Sequence, residues 1–407
     1  MRSGMRRAAR FMATAGAGRG AAVRIGTHDG AFHCDEALAC ALLRLLPRFR
    51  DAEVLRTRDP QLLAQCEVVV DVGGEYDPER HRYDHHQRSF THSMRSLRPD
   101  KPWSTKLSSA GLIYCHFGSR ILAQLLGQPE DGPVVAALYD QLYESFVEEI
   151  DAIDNGIAQA EGEPRYALSS TLSARVGRLN PRWNDPDQDT EAGFQRAMEL
   201  VQREFLERVD HCHRSWLPAR ALVLESIQRR FEVDGSGVVL ELPQGGCPWR
   251  EHLFRLEREL ALPQPLLLVL FPDRGGQWRV QSVPTGPHSF RSRLPLPEPW
   301  RGLRDEALSQ LCGIPGCVFV HASGFIGGNR TREGALEMAR RTLELRGAEE
   351  PPPWHRHPQR DPLMQGSTHG MGSLSWGWGG GGQAHPGGCH CPSSLVGCCE
   401  PEMRPGT

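Results

Sequence analysis

Acidic and imidazole side chains fall where several predicted strands end, and this placement indicates a metal site. Residues 68–70 form a short apolar run that ends at Asp71, and Asp84, His85 and His86 follow after one loop. An unbroken run of branched residues is typical of a central parallel strand, and ligands bind beyond the carboxyl ends of such strands. Because a buried carboxylate needs a partner, Asp71 indicates a divalent metal with the imidazoles as further ligands. The alternatives are a simple turn residue at Asp71 and a polar loop around the histidines.

A second set of candidate ligands follows the first predicted strand, at residues 23–27. The loop after this strand carries His28, His33 and Asp35. A helix is predicted from Asp35 onward, because apolar residues recur there at spacings of three and four. Asp154 lies at the end of a later predicted helix, either as a polar end residue or as a further ligand. An acid is unfavourable at a helix C-terminus, which favours the role as a ligand.

Taken together, these side chains could hold two divalent metal ions, with one carboxylate bridging them. Metal pairs about 3.5–4 Å apart lower the pKa of a bridging water and stabilise both oxygens of an in-line displacement at phosphorus. Asp and His suit Mn²⁺ or Mg²⁺, or other borderline metals, and no thiolate is required. The predicted chemistry is therefore metal-dependent hydrolysis of a phosphoester. The candidate catalytic and metal-binding residues are His28, His33, Asp35, Asp71, Asp84, His85, His86 and Asp154.

Alternating strands and helices are predicted to carry these residues on a parallel sheet, in an α/β domain over residues 23–190. Residues 87–106 are polar and basic, so they form either an ordered loop over the site or a mobile lid. The predicted strands cover residues 23–27, 53–58 and 68–71, and the main helices start at residues 35, 109 and 133.

The second half of the chain predicts a smaller α+β domain, over residues 217–347, with largely antiparallel strands. An amphipathic helix over residues 191–216 is predicted to connect the two domains, and the site is expected in the cleft between them. A helix over residues 249–260 interrupts the strands. The predicted strands of this domain cover residues 221–224, 238–242, 266–271 and 278–283.

A glycine-rich segment near the end of this domain is predicted to bind phosphate. A strand over residues 318–320 leads into a glycine-rich loop, and a helix follows from Thr331 or its neighbour to residue 345. Glycines let a backbone approach a ligand, and a helix N-terminus favours an anion. No Walker-type Lys-Ser/Thr pair follows, which excludes a nucleoside-triphosphate P-loop. The alternative is an ordinary turn capped by Thr331. The candidate substrate-binding residues here are His321, Gly327, Gly328, Asn329 and Arg330.

Composition narrows the broad class of the protein. The 407 residues are enough for two or more domains. A net charge of −3 gives no overall signature of nucleic-acid binding, so such binding would need a local basic patch. The 12 cysteines are scattered, which predicts reduced intracellular thiols rather than a disulfide framework. No apolar run is long enough to span a bilayer.

The two ends of the chain are predicted to lie outside the fold. The first 24 residues carry six arginines and no acid, which is typical of a mitochondrial presequence. Residues 1–22 are therefore predicted to be a disordered targeting leader, with a leader of no function as the alternative. Residues 348–407 are rich in Gly, Pro and Cys and cannot bury a core, which predicts disorder. The Cys-His-Cys run at residues 389–391 lacks the paired spacing of a zinc site.

Four motifs in order carry a resemblance to a known family. They are HDGAFHCDE at residues 28–36, DVGG at 71–74, YDHHQ at 83–87 and GGNRTREG at 327–334. The Asp-His-His run with its upstream acids resembles the DHH phosphoesterase superfamily. More closely, residues 22–346 look like the melanocyte-proliferating-gene-product (Myg-type) exonuclease family. The order of the four motifs makes the resemblance specific, whereas Asp-His-His alone would not.

The resemblance implies a two-domain 3′-to-5′ RNA exonuclease with an Mn²⁺-type site, in the mitochondrial matrix and the nucleus. It implies that Asp84 orients the imidazoles, and that His86 and Arg330 contact the substrate phosphates. The superfamily usually places an aspartate near the position of His33, so either His33 or Asp29 is the ligand. Carried over by position, His28 and His33 bind one ion and Asp35 binds the other. Asp71 bridges the two ions, His85 is a further ligand, and Asp154 completes the second ion.

Two other functions remain open at this stage. One is hydrolysis of a small phosphoanhydride or nucleotide, as by a pyrophosphatase, because the superfamily includes such enzymes. The other is a non-catalytic RNA-binding protein that keeps a relic of the site. A basic groove leading away from the metals would favour single-stranded RNA as the substrate over a small molecule, and phosphate contacts would make binding salt-dependent.

Overall fold

Two mixed sheets of five strands each organise the protein, one in each half of the chain. The structure is a computed structural model that describes residues 22–162 and 164–346. The predicted tail and almost all of the predicted leader therefore lie outside the described residues. The strands are β1 (Arg24–Thr27), β2 (Glu53–Arg56), β3 (Val68–Val70), β4 (Tyr76–Asp77), β5 (Arg82–Tyr83), β6 (Val239–Glu241), β7 (Leu268–Pro272), β8 (Trp278–Ser282), β9 (Cys317–Val320) and β10 (Ile326–Asn329).

Helices pack on both sheets and form most of the remaining structure. Within the described residues, no helix combines the length and the apolar character that crossing a bilayer requires. The helices are α1 (Cys34–Arg44), α2 (Pro60–Leu63), α3 (Met94–Leu97), α4 (Ser109–Leu126), α5 (Pro133–Leu142), α6 (Glu148–Asp154), α7 (Leu172–Gly177), α8 (Glu191–His211), α9 (Leu217–Gln228), α10 (Arg230–Val233), α11 (Trp249–Glu259), α12 (Asp305–Cys312) and α13 (Arg332–Arg346).

The first sheet is parallel except at one edge. Its order is β2-β1-β3-β5-β4, with only β4 antiparallel to its neighbour. The residues Val68–Val70 of β3 are all buried, as the apolar run predicts. Because β1 and β3 are adjacent and parallel, the residues that follow Thr27 and Val70 leave the sheet at the same edge. The prediction of a parallel sheet is confirmed, and this sheet brings the His28 loop beside Asp71.

Helix α1 lies at the centre of the first core. It packs against both α4 and α8, and every residue from Cys34 to Leu43 is buried. A helix that is apolar on nearly all sides is typical of a position inside the core. The first turn of α1 nevertheless carries two acids, Asp35 and Glu36, and both side chains are fully buried. The core therefore places two carboxyl groups at the edge of the sheet where β1 and β3 end.

Two long helical segments each contain one π-helical turn. Tyr143–Val147 joins α5 to α6, so the helix predicted from residue 133 ends at Asp154. Cys212–Trp216 joins α8 to α9. The predicted connector helix therefore continues to Gln228, and the strand predicted at residues 221–224 is wrong. A short apolar run cannot distinguish a strand from a buried helix, and one face of α9 is buried at helical spacing.

The second sheet confirms the largely antiparallel strands of the C-terminal half. Its order is β6-β7-β8-β10-β9, and only β6 and β7 pair in parallel. The predicted glycine-rich loop is wrong, because its glycines lie in β10, an inner strand of this sheet. Glycine is required there by close packing: a Cβ on Gly327 would lie 2.9 Å from Leu296 Cδ1 and 3.1 Å from the Phe319 carbonyl oxygen.

The segment over residues 87–106 is an ordered loop, the first of the two predicted alternatives. Phe90 and Met94 are buried within it, and Ser93 pairs with Lys106 in a β-bridge. Backbone hydrogen bonds also join Arg95 to Trp103. Buried side chains and paired backbone groups hold the loop in one conformation.

The buried face of α1 gives the first testable expectation. Leu38 is fully buried in the core, so Leu38→Ala should lower the free energy of unfolding by about 2–5 kcal/mol. Urea unfolding followed by far-UV circular dichroism measures this change. Leu125, 37% exposed on α4, provides a matched control, and Leu125→Ala should change stability by less than about 1 kcal/mol. Equal losses in the two variants would contradict the placement of α1.

Candidate metal centre

A cavity of about 700 Å³ opens where β1 and β3 end. Every described residue of its wall lies between His28 and Gly177, so the second sheet contributes no wall to this cavity. The contribution of the second domain that was expected at the site remains a prediction. Most of the predicted ligands line the cavity, together with Arg58 and Gln87.

Asp71 lies at the centre of the candidate ligands. Its Oδ1 is 3.4 Å from His85 Nε2 and 3.5 Å from His86 Nδ1, and its Oδ2 is 3.4 Å from His28 Nε2. The backbone at Asp71 has a φ of 59°, a left-handed conformation that residues other than glycine rarely adopt. This conformation costs on the order of 1–3 kcal/mol, and such strain clusters at functional sites. It directs one carboxylate toward three imidazoles.

His28 presents one ring nitrogen to the carboxylates. Its Nδ1 donates to the Asp29 carbonyl oxygen at 3.0 Å, so Nε2 carries the lone pair of the neutral ring. That Nε2 lies 3.1 Å from Glu36 Oε1 as well as close to Asp71. Burial lowers the pKa of His28, but the carboxylates of Asp71 and Glu36 outweigh burial and raise this pKa to about 10. The position of Nε2 therefore favours a cation.

His85 provides the strongest sign that a metal fits this site. The ring is buried, and neither of its nitrogens makes a hydrogen bond within the described residues. Its Nε2 faces three carboxylates, at 3.1 Å from Asp154 Oδ2, 3.4 Å from Asp71 Oδ1 and 3.7 Å from Asp35 Oδ2. A buried imidazole nitrogen that makes no hydrogen bond and faces several carboxylates forms, together with them, a ligand set for a divalent metal. Imidazole and carboxylate ligands of this kind suit Mn²⁺.

The three carboxylates also control protonation at His85. Burial lowers the pKa of His85, but Asp154 and Asp71 raise it to about 11. Burial raises the pKa of Asp71, whereas His28 and His85 hold that pKa well below its usual value. Metal ions compete with protons for imidazole nitrogens, so we expect metal binding here to release protons.

The structure brings all the predicted metal ligands together. It also favours His33 over Asp29, because the Asp29 side chain is 57% exposed and pairs with Arg58 at 3.2 Å, away from the other ligands. Within three groups, the ligand atoms all lie within 4.8 Å of one another: His28, His33 and Glu36; Asp71, His85 and His86; and Asp35, His85 and Asp154.

Asp84 makes hydrogen bonds to His86 and not to His85 among the described residues. Its Oδ1 accepts hydrogen bonds from the backbone N–H of His86 at 3.1 Å and from His86 Nδ1 at 2.8 Å. Its Oδ2 accepts from the Gly74 N–H at 2.5 Å, which a positive φ of 67° at Gly74 turns toward it. The predicted orienting role of Asp84 therefore has a contact at His86, and no such contact joins Asp84 to His85 among the described residues.

The N-terminus of α4 holds Asp35 and was not among the predicted site elements. The backbone N–H groups of Ser109 and Ala110 donate to the Asp35 carboxylate at 3.0 and 2.6 Å. The Ser108 hydroxyl donates to Asp35 Oδ1 at 2.5 Å. Carboxylates are stabilised at helix N-termini by free N–H groups and by the helix dipole. Ser108 stands just before the helix predicted from residue 109, so a capping pattern in the sequence could have indicated this helix end.

Asp151 lies on the far side of Ser108 and was also missed. The Ser108 hydroxyl is 2.8 Å from Asp151 Oδ1, and Tyr143 Oη donates to Asp151 Oδ2 at 2.9 Å. One hydroxyl has one proton, so it cannot donate to Asp35 and Asp151 at the same time. The second hydrogen bond needs a proton from one of the two carboxyl groups. Burial raises the pKa of Asp151 to about 7 and that of Asp35 well above its usual value, so either carboxyl group can carry this proton.

The predicted substrate residues of the second sheet divide into buried and exposed groups. Asn329 is fully buried, its amide donates to the Pro315 carbonyl oxygen at 2.9 Å, and its Oδ1 accepts from the Thr331 N–H at 3.0 Å. It therefore holds the turn before α13 and is not free to bind a substrate, which corrects the prediction. Gly327 and Gly328 are buried in β10 as well. The side chains of His321 and Arg330 are exposed and remain candidates.

The fold and the centre together define an α/β protein with carboxylate and imidazole groups arranged for divalent metals at the edge of a parallel sheet. The sequence profile of a family described as an uncharacterised protein family (UPF0160) matches residues 24–343. The chain therefore belongs to this family, the MYG1 exonuclease family, and the resemblance found in the sequence is confirmed.

Curated relatives match over most of their length. The protein of Homo sapiens named MYG1 exonuclease is 71% identical over 324 residues, which cover 79% of this chain and 86% of that protein. A MYG1 protein of Caenorhabditis elegans is 50% identical over 330 residues, or 80% of this chain and 96% of that protein. The crystal structure of RecJ in complex with Mn²⁺ from Thermus thermophilus is 17% identical, over 81% of this chain and 52% of that chain. Its TM-score is 0.23, which is too low to support a conclusion.

The raised pKa of Asp151 predicts how stability depends on pH. The folded state holds a proton at Asp151 up to about pH 7, whereas the unfolded chain loses it near pH 4. Stability of the protein in EDTA should therefore fall as the pH rises from about 4 to 7, by at most about 1.4 kcal/mol per pH unit from this group. Asp151→Asn should remove this part of the slope in urea unfolding at several pH values.

Asp131 is exposed, so Asp131→Asn provides the matched control and should keep the slope of the wild-type protein. The same slope in the Asp151 and Asp131 variants would show that Asp151 ionises normally in the folded state.

Proposed function

We propose that this protein is a metal-dependent exonuclease that degrades single-stranded RNA from its 3′ end. The observation that carries the proposal is the convergence of Asp71, Asp154 and Asp35 on Nε2 of the buried His85, which makes no hydrogen bond among the described residues. A second imidazole, His28, faces the same Asp71 carboxylate. Relatives that match most of the chain are named exonucleases, which supports cleavage at a phosphodiester end.

The ligands divide between two ions that share Asp71. His28 and His33 would hold one ion, and Asp35, His85 and Asp154 the other. Mn²⁺ fits this donor set, and Mg²⁺ fits its carboxylates. When bound, the metals would polarise the phosphodiester and lower the pKa of the attacking water. The N-terminus of α4 fixes the Asp35 carboxylate, and the backbone at Asp71 fixes the shared ligand.

His86 is suited to contact the substrate phosphate. Its side chain is 62% exposed and lines the cavity, while Asp84 occupies its Nδ1. The Asp84 carboxylate raises the pKa of His86, which favours the protonated ring, in which Nε2–H is left as a donor. A positioned cation of this kind stabilises charge that develops on a phosphate in the transition state.

A local basic patch next to the centre supports a polymeric substrate. Arg88 and Arg95 are exposed on the ordered loop that follows His86. Lys106 Nζ lies 5.7 Å from the centre of the Phe90 ring, and that ring is 6.4 Å from the ring of His85. A chain whose net charge is −3 needs such a local patch to bind a phosphate backbone.

The second candidate function is hydrolysis of a small phosphoanhydride or nucleotide. The cavity of about 700 Å³ is within the range of pockets that enclose small molecules, about 300–1,000 Å³. Its described walls all come from the first half of the chain, so a small substrate could be bound there without the second sheet. A non-catalytic RNA-binding protein fits less well, because it has no need for buried, mutually repelling carboxylates.

The proposed compartments are the mitochondrial matrix and the nucleus. The support is the arginine-rich, acid-free run at the start of the chain, which is typical of a presequence. Single-stranded RNA in these compartments would be the substrate.

The proposed activity can be tested with RNA labelled at its 5′ end. With Mn²⁺ present, the wild-type protein should shorten this RNA stepwise from the 3′ end, and EDTA should stop the reaction. Removing a group that only supports a metal ligand lowers activity about 10–100-fold. Asp71 is itself the proposed ligand of both ions, so Asp71→Asn should reduce the rate by at least about 100-fold. Asp51 is exposed, and Asp51→Asn should leave the rate unchanged. A matched DNA strand tests whether the ribose hydroxyl is required.

Two results would contradict the proposal in different ways. Intact RNA together with rapid hydrolysis of pyrophosphate or a dinucleotide would establish the small-substrate function instead. RNA shortened equally by the wild-type protein and the Asp71 variant would show that the cleavage does not come from this centre.

A further inference from the structure

Glu36 is a buried carboxylate on the metal centre that the predicted ligand set does not include. It lies in the first turn of α1, and its side chain is 0% exposed. Its Oε1 accepts a hydrogen bond from the His33 N–H at 2.8 Å and lies 3.1 Å from His28 Nε2. Its Oε2 is buried and has no hydrogen-bond partner among the described residues. A carboxylate in this position is costly unless a cation lies beside it.

The hydrogen bond to His33 does not explain the burial of Glu36. A glutamate that caps the first turn of its helix reaches back to one backbone N–H, and it does so equally well at an exposed helix end. A glutamine would make the same bond without a charge. The Oε1 atom also pairs with His28, but Oε2 is buried without a partner among the described residues, so the burial of this second oxygen needs another reason.

The two nitrogens of His28 show on which side of the ring Glu36 lies. Carboxylates or carbonyls that orient a metal-binding histidine contact the nitrogen away from the metal. At His28 the Asp29 carbonyl oxygen already fills that position, at Nδ1. Glu36 instead faces Nε2, the nitrogen that would bind the metal, and Asp71 faces the same nitrogen at 3.4 Å. Glu36 therefore lies on the side of the His28 ring that would bind the metal, and not on the side where a supporting group lies.

The charges of the centre are unequal without Glu36. Asp35 and Asp154 belong to the group around His85, whereas His28 and His33 are neutral ligands when they bind a metal. The ion held by the two histidines would then have only a share of Asp71. The ligand atoms of His28, His33 and Glu36 lie within 4.8 Å of one another, so Glu36 can supply the missing charge.

We propose that Glu36 is a ligand of the divalent metal ion held by His28 and His33. The proposal rests on the metal centre of the proposed function and adds a residue to it. The centre then has one carboxylate of its own at each ion, Glu36 at one and Asp35 with Asp154 at the other, with Asp71 shared.

Mn²⁺ binding to the full chain tests this role without any activity measurement. Electron paramagnetic resonance of free Mn²⁺ during a titration gives the number of sites and their dissociation constants. Two sites are expected in the wild-type protein. Glu36→Gln keeps the size and the capping bond but removes the charge, and it should weaken one site by at least about 100-fold, the upper limit for a merely supporting group. Glu79 is exposed, and Glu79→Gln should bind Mn²⁺ as the wild-type protein does.

Thermal unfolding in EDTA distinguishes a ligand from a structural residue. Glu36→Gln should still unfold in one cooperative transition in EDTA, because glutamine keeps the size and the capping bond of Glu36, so a weakened Mn²⁺ site in this variant would not be a loss of the fold. Unchanged affinity at both sites in Glu36→Gln would overturn the role of Glu36 and leave the proposed function intact. A wild-type protein that binds no Mn²⁺ would overturn both. Glu36→Asp keeps the charge but moves the carboxylate away from the ion, so it should weaken the same site. Two sites of wild-type affinity in Glu36→Asp would overturn the role, including where Glu36→Gln does not fold.

Discussion

Repulsion between buried carboxylates is the constraint on which this structure depends. Asp35, Glu36 and Asp71 are buried at one edge of the first sheet, and Asp154 lies beside them at 3.1 Å from His85. Burial of like charges is tolerated only where cations or N–H groups face them. Two imidazoles and the N-terminus of α4 supply part of this compensation, and divalent metals would supply the rest.

The fold satisfies this constraint by bringing together the ends of two strands, the N-terminus of one helix and a π-helical turn. Parallel pairing of β1 and β3 delivers the His28 loop and Asp71 to the same edge. The N-terminus of α4 adds amide groups and the positive end of a helix dipole, and it holds Asp35. The π-helical turn before α6 contributes Tyr143, which donates to Asp151 behind the ligands.

The sequence could predict the elements with strong local patterns, and it failed where packing decides. The apolar run before Asp71 predicted a buried parallel strand and a ligand at its end. Residues 221–224 were predicted as a strand because four apolar residues fit either a strand or one face of a helix. Gly327 was predicted to lie in a loop, although close packing in β10 requires it. Glu36 and Asp151 were missed because only the tertiary structure buries them and places them next to the predicted ligands.

Anomalous diffraction at the manganese edge, from crystals grown with Mn²⁺, tests the central claim most directly. Two anomalous peaks, one for each bound ion, are expected about 3.5–4 Å apart, with the Asp71 carboxylate between them. One peak should lie near His28 and the other near His85. The absence of a peak within ligand distance of Asp71, with the protein folded and Mn²⁺ in excess, would contradict the account.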